Sequence, residues 1–255
     1  MVKNIKAIDM HMHINHGGRF DSQQSEYHDA TISNLTKMSK ICNVERMFCS
    51  TFSSVLSTED VFLENEYMFE LSQKMDNLYQ WVVIDPRNKS TYFQAEKMLD
   101  SKKCVGIKLH PVCHKYSLID YGNEIFSFAS DHSAIVLIHP EGNPDYIIPF
   151  ANKYPNVKFI MAHMGSWDIG TDANAIEFAQ NDNVYMDTSG IASSKNYVIE
   201  AVVSRVGSKR ILFGTDTYAC GFQRGRIEYA QISDDDKVNI LRKNAEQLFG
   251  FSDCN

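Results

Sequence analysis

One pattern recurs along the 255-residue chain: a short apolar, β-branched run that ends in a polar or ionisable residue, then a longer stretch of helical periodicity. The runs are Ile5–His13, Arg46–Thr51, Trp81–Asp85, Val105–His110, Ile135–His139, Val157–His163, Val184–Thr188 and Ile211–Asp216. Helical periodicity is read over Asp60–Lys74, Tyr92–Ser101, Ile125–His132, Tyr146–Lys153, Ala173–Gln180, Tyr197–Arg205 and Asp235–Phe249. Successive runs end 24–38 residues apart, the length of one βα unit. Strands this apolar, alternating with helices, belong to a parallel sheet covered on both faces. Eight units in this length fit a (β/α)8 TIM barrel better than an open doubly wound sheet, and no GxGxxG follows the first strand to mark a dinucleotide site. With no proline-rich linker or charge block to divide it, the chain reads as one domain, residues 1–255.

Composition narrows the partners. The formal charge of −7 gives no pull toward phosphate backbones or anionic membranes, so neither nucleic acid nor a membrane is expected. No apolar run reaches the roughly 18 residues of a membrane span. Met1–Lys6 carries no apolar signal-peptide core, and the six cysteines are scattered without a CxxC pair. The expectation is a cytoplasmic protein with reduced thiols, acting on a small molecule, with homo-oligomerisation left open.

The strand ends carry the chemistry. In a parallel barrel all strands deliver their C-terminal ends to one mouth. Five of the nine histidines (His11, His13, His110, His139 and His163) fall at or near these ends, and the eighth run closes on Asp216. Three imidazoles and a carboxylate make a plausible divalent-metal site. His11 and His13, two apart on one strand, point to the same face, and Asp9 is expected there too, orienting a ligand or filling a polar core layer.

Asp9-x-His11-x-His13, His139, Ala162-His-Met-Gly165 and Phe213-Gly-Thr-Asp216, in this order, resemble the amidohydrolase superfamily of metal-dependent barrels. Gly106-Ile-Lys-Leu-His-Pro111 and Ala162-His-Met-Gly165 are similar to the branch that contains aminocarboxymuconate-semialdehyde decarboxylase and related hydrolases. The resemblance implies that His11, His13, His139 and Asp216 hold a divalent metal, most often zinc, as one or two ions. It further implies that Asp216 accepts a proton from activated water and that His163 either contacts water and substrate or ligates a second ion.

Lys108 stands where binuclear relatives carry a carboxylated, metal-bridging lysine. The alternatives are a pair with a carboxylate such as Asp9, or direct binding of an acidic substrate. His110 is a further substrate-binding candidate. Arg87 can clamp a substrate carboxylate with its planar fork, or serve an ordinary ion pair. Glu141 is either a general acid or a loop residue, while Arg224 and Arg226 read as solvated loop arginines and His132 as structural. Asp187-Thr188-Ser189 can bond substrate or the ligands. Asn15–Tyr27 is a surface loop or a lid, and Trp167, Tyr218 and Phe222 either line the pocket or simply pack.

The leading expectation is a metal-dependent hydrolase of a small amide, lactam, lactone or ester. The alternative is a mononuclear-metal decarboxylase of an aromatic or enol acid, marked by an arginine facing the metal. A metal-dependent nuclease is disfavoured by Lys108, where such enzymes show glutamate, and by the acidic charge.

Overall fold

A computed structural model describes residues 2–16, 25, 27–142, 144–165, 181–190 and 195–251. Eight parallel strands form one sheet in sequence order: β1 (Ala7–Ile14), β2 (Val44–Thr51), β3 (Leu78–Val83), β4 (Cys104–Leu109), β5 (Ile135–Ile138), β6 (Lys158–Met161), β7 (Val184–Asp187) and β8 (Ile211–Leu212). The seam between last and first strand is bridged by Met10 N–H to Phe213 O at 3.0 Å and Asp216 N–H to His11 O at 2.8 Å, making a TIM barrel. The helices are α1 (Ile32–Ile41), α2 (Phe52–Leu56), α3 (Val61–Lys74), α4 (Lys89–Leu99), α5 (Pro111–His114), α6 (Leu118–Asp131), α7 (Ile147–Lys153), α8 (Val198–Val206), α9 (Cys220–Glu228), α10 (Asp234–Val238) and α11 (Asn244–Phe249). None among the described residues is long and apolar enough to cross a membrane.

Two apolar layers hold this arrangement. Ile8, Met10, Phe48, Trp81, Leu137, Ile160 and Leu212 fill the barrel, and the Trp81 indole donates to Met10 O at 2.7 Å. A larger layer between strands and helices includes Leu35, Val82, Ile107, Phe126, Phe159 and Ile199. Gly106 permits the close packing of β4 on β5, because a Cβ there would lie 2.3 Å from Ile135 O. Side chains satisfy the orphan amides at several helix starts: Thr51 on α2, Asn88 on α4, Ser117 on α6 and Ser233 on α10.

Several of the expected strands are shorter in the structure, β6 and β8 by the most. β6 and β8 stop before His163 and Asp216, because the backbone turns left-handed at His163 and Met164 and again at Asp216, Thr217 and Ala219. The expected helix Ala173–Gln180, Trp167 and most of the Asn15–Tyr27 loop lie outside the described residues.

Candidate metal centre

β1 carries an irregularity between Asp9 and Met12 that re-phases the strand. Ile8 and Met10 remain in the barrel core, while the His11 and His13 imidazoles come together at the mouth. Thr217 grips His13 from the β8 side: its hydroxyl donates to His13 O and accepts from His13 N–H, both at 2.6 Å. That grip brings Asp216 over the two rings. His11 Nε2 and His13 Nε2 are 3.2 Å apart, and Asp216 Oδ1 lies 3.1 Å from His13 Nε2 and 3.5 Å from His11 Nε2. Bonds of about 2.1 Å to one ion place neighbouring donors about 3.0–3.4 Å apart, so this trio has the dimensions of a coordination shell.

The protonation pattern agrees. Asp187 Oδ2 can only accept, so its 2.8 Å contact with His11 Nδ1 puts the proton on Nδ1 and the lone pair on Nε2. Lys108 Nζ, which can only donate, faces that same Nε2 at 2.9 Å. On His13, Nδ1 is held by Ser50 Oγ at 2.8 Å. Burial opposes ionisation of Asp187 and Asp216, but the surrounding imidazoles outweigh it and hold both well below the usual carboxylate range. Burial lowers His13 to about 4 and Lys108 to about 8. Two buried carboxylates against one lysine leave an excess of negative charge that a divalent cation would offset. A second trio, His11, His163 and Asp187, also converges. There the 2.8 Å His11–Asp187 contact is already filled by a shared proton, which favours the first trio as the ion's seat.

His139 stands beside this trio, with Nδ1 3.2 Å from His163 Nε2 and its ring stacked at 3.9 Å on His110. Burial, with His163 and Lys108 nearby, pushes His139 down to about 2 and keeps it neutral. His110 is the N-cap of α5: Cys113 N–H donates to its Nδ1 at 3.2 Å, so the remaining proton is on Nε2. His13, His110, His139 and Asp216 floor a cavity of about 250 Å³ whose walls are Phe52, Val55, Leu56, Val112, Cys113 and Tyr218. His28 stacks on Tyr218 at 5.0 Å.

Several roles left open by the sequence resolve away from the metal. Arg87 does not reach this cavity: its Nε and Nη2 bond both Asp85 oxygens at 2.9 and 3.1 Å, and Nη2 donates to His114 O at 2.6 Å. The described lining contains no arginine, so the mark expected of a decarboxylase is not among these residues, and His110 is the described donor left to meet an acid's oxygen. Asp9 does not orient a histidine ring, since the β1 irregularity turns its carboxyl to Thr215 Oγ1, 2.7 Å away. Glu141 accepts from Leu118 N–H at 3.2 Å, at the start of α6. Arg224 is buried on α9, bonded to Glu228 at 2.7 Å and to Ile5 O at 2.8 Å, far from the solvated loop expected. Phe222 is half exposed and outside the cavity lining.

Asp187 and Ser189 bond the histidines, one of the two roles open to them, and Ser50 and Thr217, which the sequence pattern does not single out, grip His13 as well. For Asp187 and Ser189 the available signal was their place at the end of a barrel strand.

Comparison with known proteins follows the same lines. A family profile described as Amidohydrolase matches residues 8–251, and the chain belongs to that family. Fold, family and the buried His/Asp cluster together define a metal-dependent enzyme of the amidohydrolase superfamily. The fold is similar to 2,6-dihydroxybenzoate decarboxylase from Rhizobium (TM-score 0.74, 14% identity, covering 96% of this chain and 98% of that one). It is also similar to dihydroxybenzoic acid decarboxylase from Polaromonas sp. JS666 with bound manganese and 2-nitroresorcinol (TM-score 0.71, 14% identity, 96% of each chain). A third similar structure, from Pseudomonas putida, is described as a 2-pyrone-4,6-dicarboxylic acid hydrolase (TM-score 0.67, 17% identity, 97% and 98% covered). No curated protein matches the chain.

Proposed function

We propose that this enzyme removes CO2 from a small aromatic or enolic carboxylic acid. The observation that carries the reading is the cavity: apolar and aromatic walls above a floor of histidines and one carboxylate. Such a space suits a flat, mostly apolar molecule with a single polar edge directed at the floor. The likeness to two dihydroxybenzoate decarboxylases supports the same choice.

In this reading His11, His13 and Asp216 hold a divalent ion, with His139 as a further donor. When bound, the ion supplies Lewis-acid charge that holds and polarises the oxygens of the acid. The mixed nitrogen and oxygen donors suit zinc, expected from the sequence, and also manganese, the ion in the Polaromonas protein. His110 offers its Nε2–H to a substrate oxygen. As the bond between ring carbon and carboxylate breaks, its electron pair takes up a proton that comes from solvent and is relayed through Asp216, ionised at rest, or through the Nε2 lone pair of His163. Lys108, buried against His11 Nε2, offsets part of the charge of the two carboxylates.

Hydrolysis of a lactone or amide is the second reading. It is favoured by the ionised state of Asp216, which suits a general base, and by the likeness to the Pseudomonas putida protein. The test is to incubate metal-loaded protein with 2,6-dihydroxybenzoate and related hydroxybenzoates, following CO2, beside 2-pyrone-4,6-dicarboxylate, following ring opening. CO2 release supports the proposal. Ring opening with no decarboxylation of any acid overturns it.

A further inference from the structure

The loop after β7 meets two histidines at once. Ser189 Oγ lies 3.0 Å from His163 Nδ1 and 3.0 Å from His11 Nδ1, and it also hydrogen-bonds Asp187 Oδ1. A serine hydroxyl has one proton and two lone pairs, whereas an ionised carboxylate only accepts. The hydroxyl proton therefore goes to Asp187, and toward the imidazoles Ser189 Oγ is an acceptor. A second acceptor, the Ser189 carbonyl, lies 3.3 Å from the same His163 Nδ1. Two acceptors at one ring nitrogen require a proton there.

Backbone geometry keeps the contact in place. Gly190 has φ +69°, and a Cβ on it would come within 2.8 Å of His163 Nδ1, so only glycine lets the loop lie against this ring edge. Asp187 Oδ1 also accepts from Ser189 N–H at 2.8 Å and from His163 N–H at 3.1 Å, which ties hydroxyl and imidazole to one carboxylate.

We infer that Ser189 is a positioning residue that fixes His163 in its Nδ1–H tautomer, so that the Nε2 lone pair of His163 is presented to His139. His110 is fixed in the opposite sense, with its proton on Nε2. The two histidines on either side of His139 thus have different roles, His110 as donor and His163 as acceptor. The use of that acceptor in moving a proton rests on the function proposed above; the tautomer does not.

The experiment is long-range 1H–15N correlation spectroscopy of the histidine rings in protein loaded with Zn2+ as a diamagnetic probe. His163 is assigned by the signals lost in His163→Gln. In the parent protein His163 is expected as Nδ1–H and His110 as Nε2–H. Ser189→Ala should lower the excess of the Nδ1–H form by about three- to tenfold, the worth of one hydrogen bond, without moving the His110 signals. Ser189→Cys, close in shape but a poor acceptor, should shift in the same direction and guards against an alanine variant that does not fold. An Nε2–H form of His163 in the parent protein overturns the inference, as does a folded variant with an unchanged His163 pattern. Neither spectrum depends on a substrate, so failure of the decarboxylase reading would leave the result standing.

Discussion

Asp187 Oδ2 grips His11 Nδ1 at 2.8 Å, joining two residues 176 positions apart, both shut off from solvent. This contact decides which nitrogen of His11 carries a lone pair. Asp187→Asn keeps the size but presents either a donor or a weaker acceptor to His11. Affinity for Zn2+ or Mn2+ should fall by about 10–100-fold, as for other partners of metal-binding histidines. Competition with a chromophoric chelator measures this, and unchanged affinity would remove Asp187 from its orienting role.

Asp216 combines two tasks that a substitution can separate. Asp216→Asn still offers an oxygen to an ion but neither takes up nor releases a proton. Most of the metal should remain while turnover falls by about 10²–10⁴. Metal analysis alongside steady-state rates checks the pair of outcomes. Full turnover in the variant would transfer the proton to another group, with His163 next in line.

Asp9 gives a prediction in pH. Burial pushes its carboxyl up to about 8, against the opposing hydrogen bonds from Thr215 and the His11 amide. The folded protein therefore keeps a proton on Asp9 that the unfolded chain releases near 4. Its contribution to stability is complete below that value and is lost as pH rises toward 8. Asp9→Asn imitates the protonated acid, with Nδ2 donating to Thr215 Oγ1 and Oδ1 accepting the two amides. In metal-free protein, Tm of the variant relative to the parent should rise steadily between pH 5 and 8. A constant difference would show that Asp9 is ionised throughout.

Arg87 supplies a negative control. Its guanidinium is engaged by Asp85 and by the His114 and Lys115 carbonyls, outside the cavity. Arg87→Ala should leave KM unchanged within twofold and reduce stability by about 1 kcal/mol. A large rise in KM would restore it as a substrate clamp.

Much of the barrel is legible in the sequence because buried parallel strands must be apolar and β-branched while the helices between them follow another period. Convergence of His11, His13 and Asp216 is legible for a related reason: strand ends share one mouth. The irregularity in β1 is not, since nothing in Asp9-Met-His-Met-His announces a change of phase, and the alternation of a regular strand puts Asp9 on the face of the two histidines. α9 is not legible either, because glycines at 221 and 225 weaken its helical signal. The Ser50–His13 and Asp187–His11 partnerships depend on long-range register, which a local pattern does not encode. Arg87 was readable: Asp85, two residues earlier, was already the nearest carboxylate.

β8 is only two residues long, yet it has to meet β1. His11 and His13 belong to β1, and Asp216 follows β8, so a cation held by all three lies across the junction where the ring of strands meets itself. Such an ion is a clasp as well as a reagent. Taking it away should loosen the start of the chain from its last turns before it disturbs β3 to β6, and the first signs of metal loss should be amide exchange and protease cuts beside that junction.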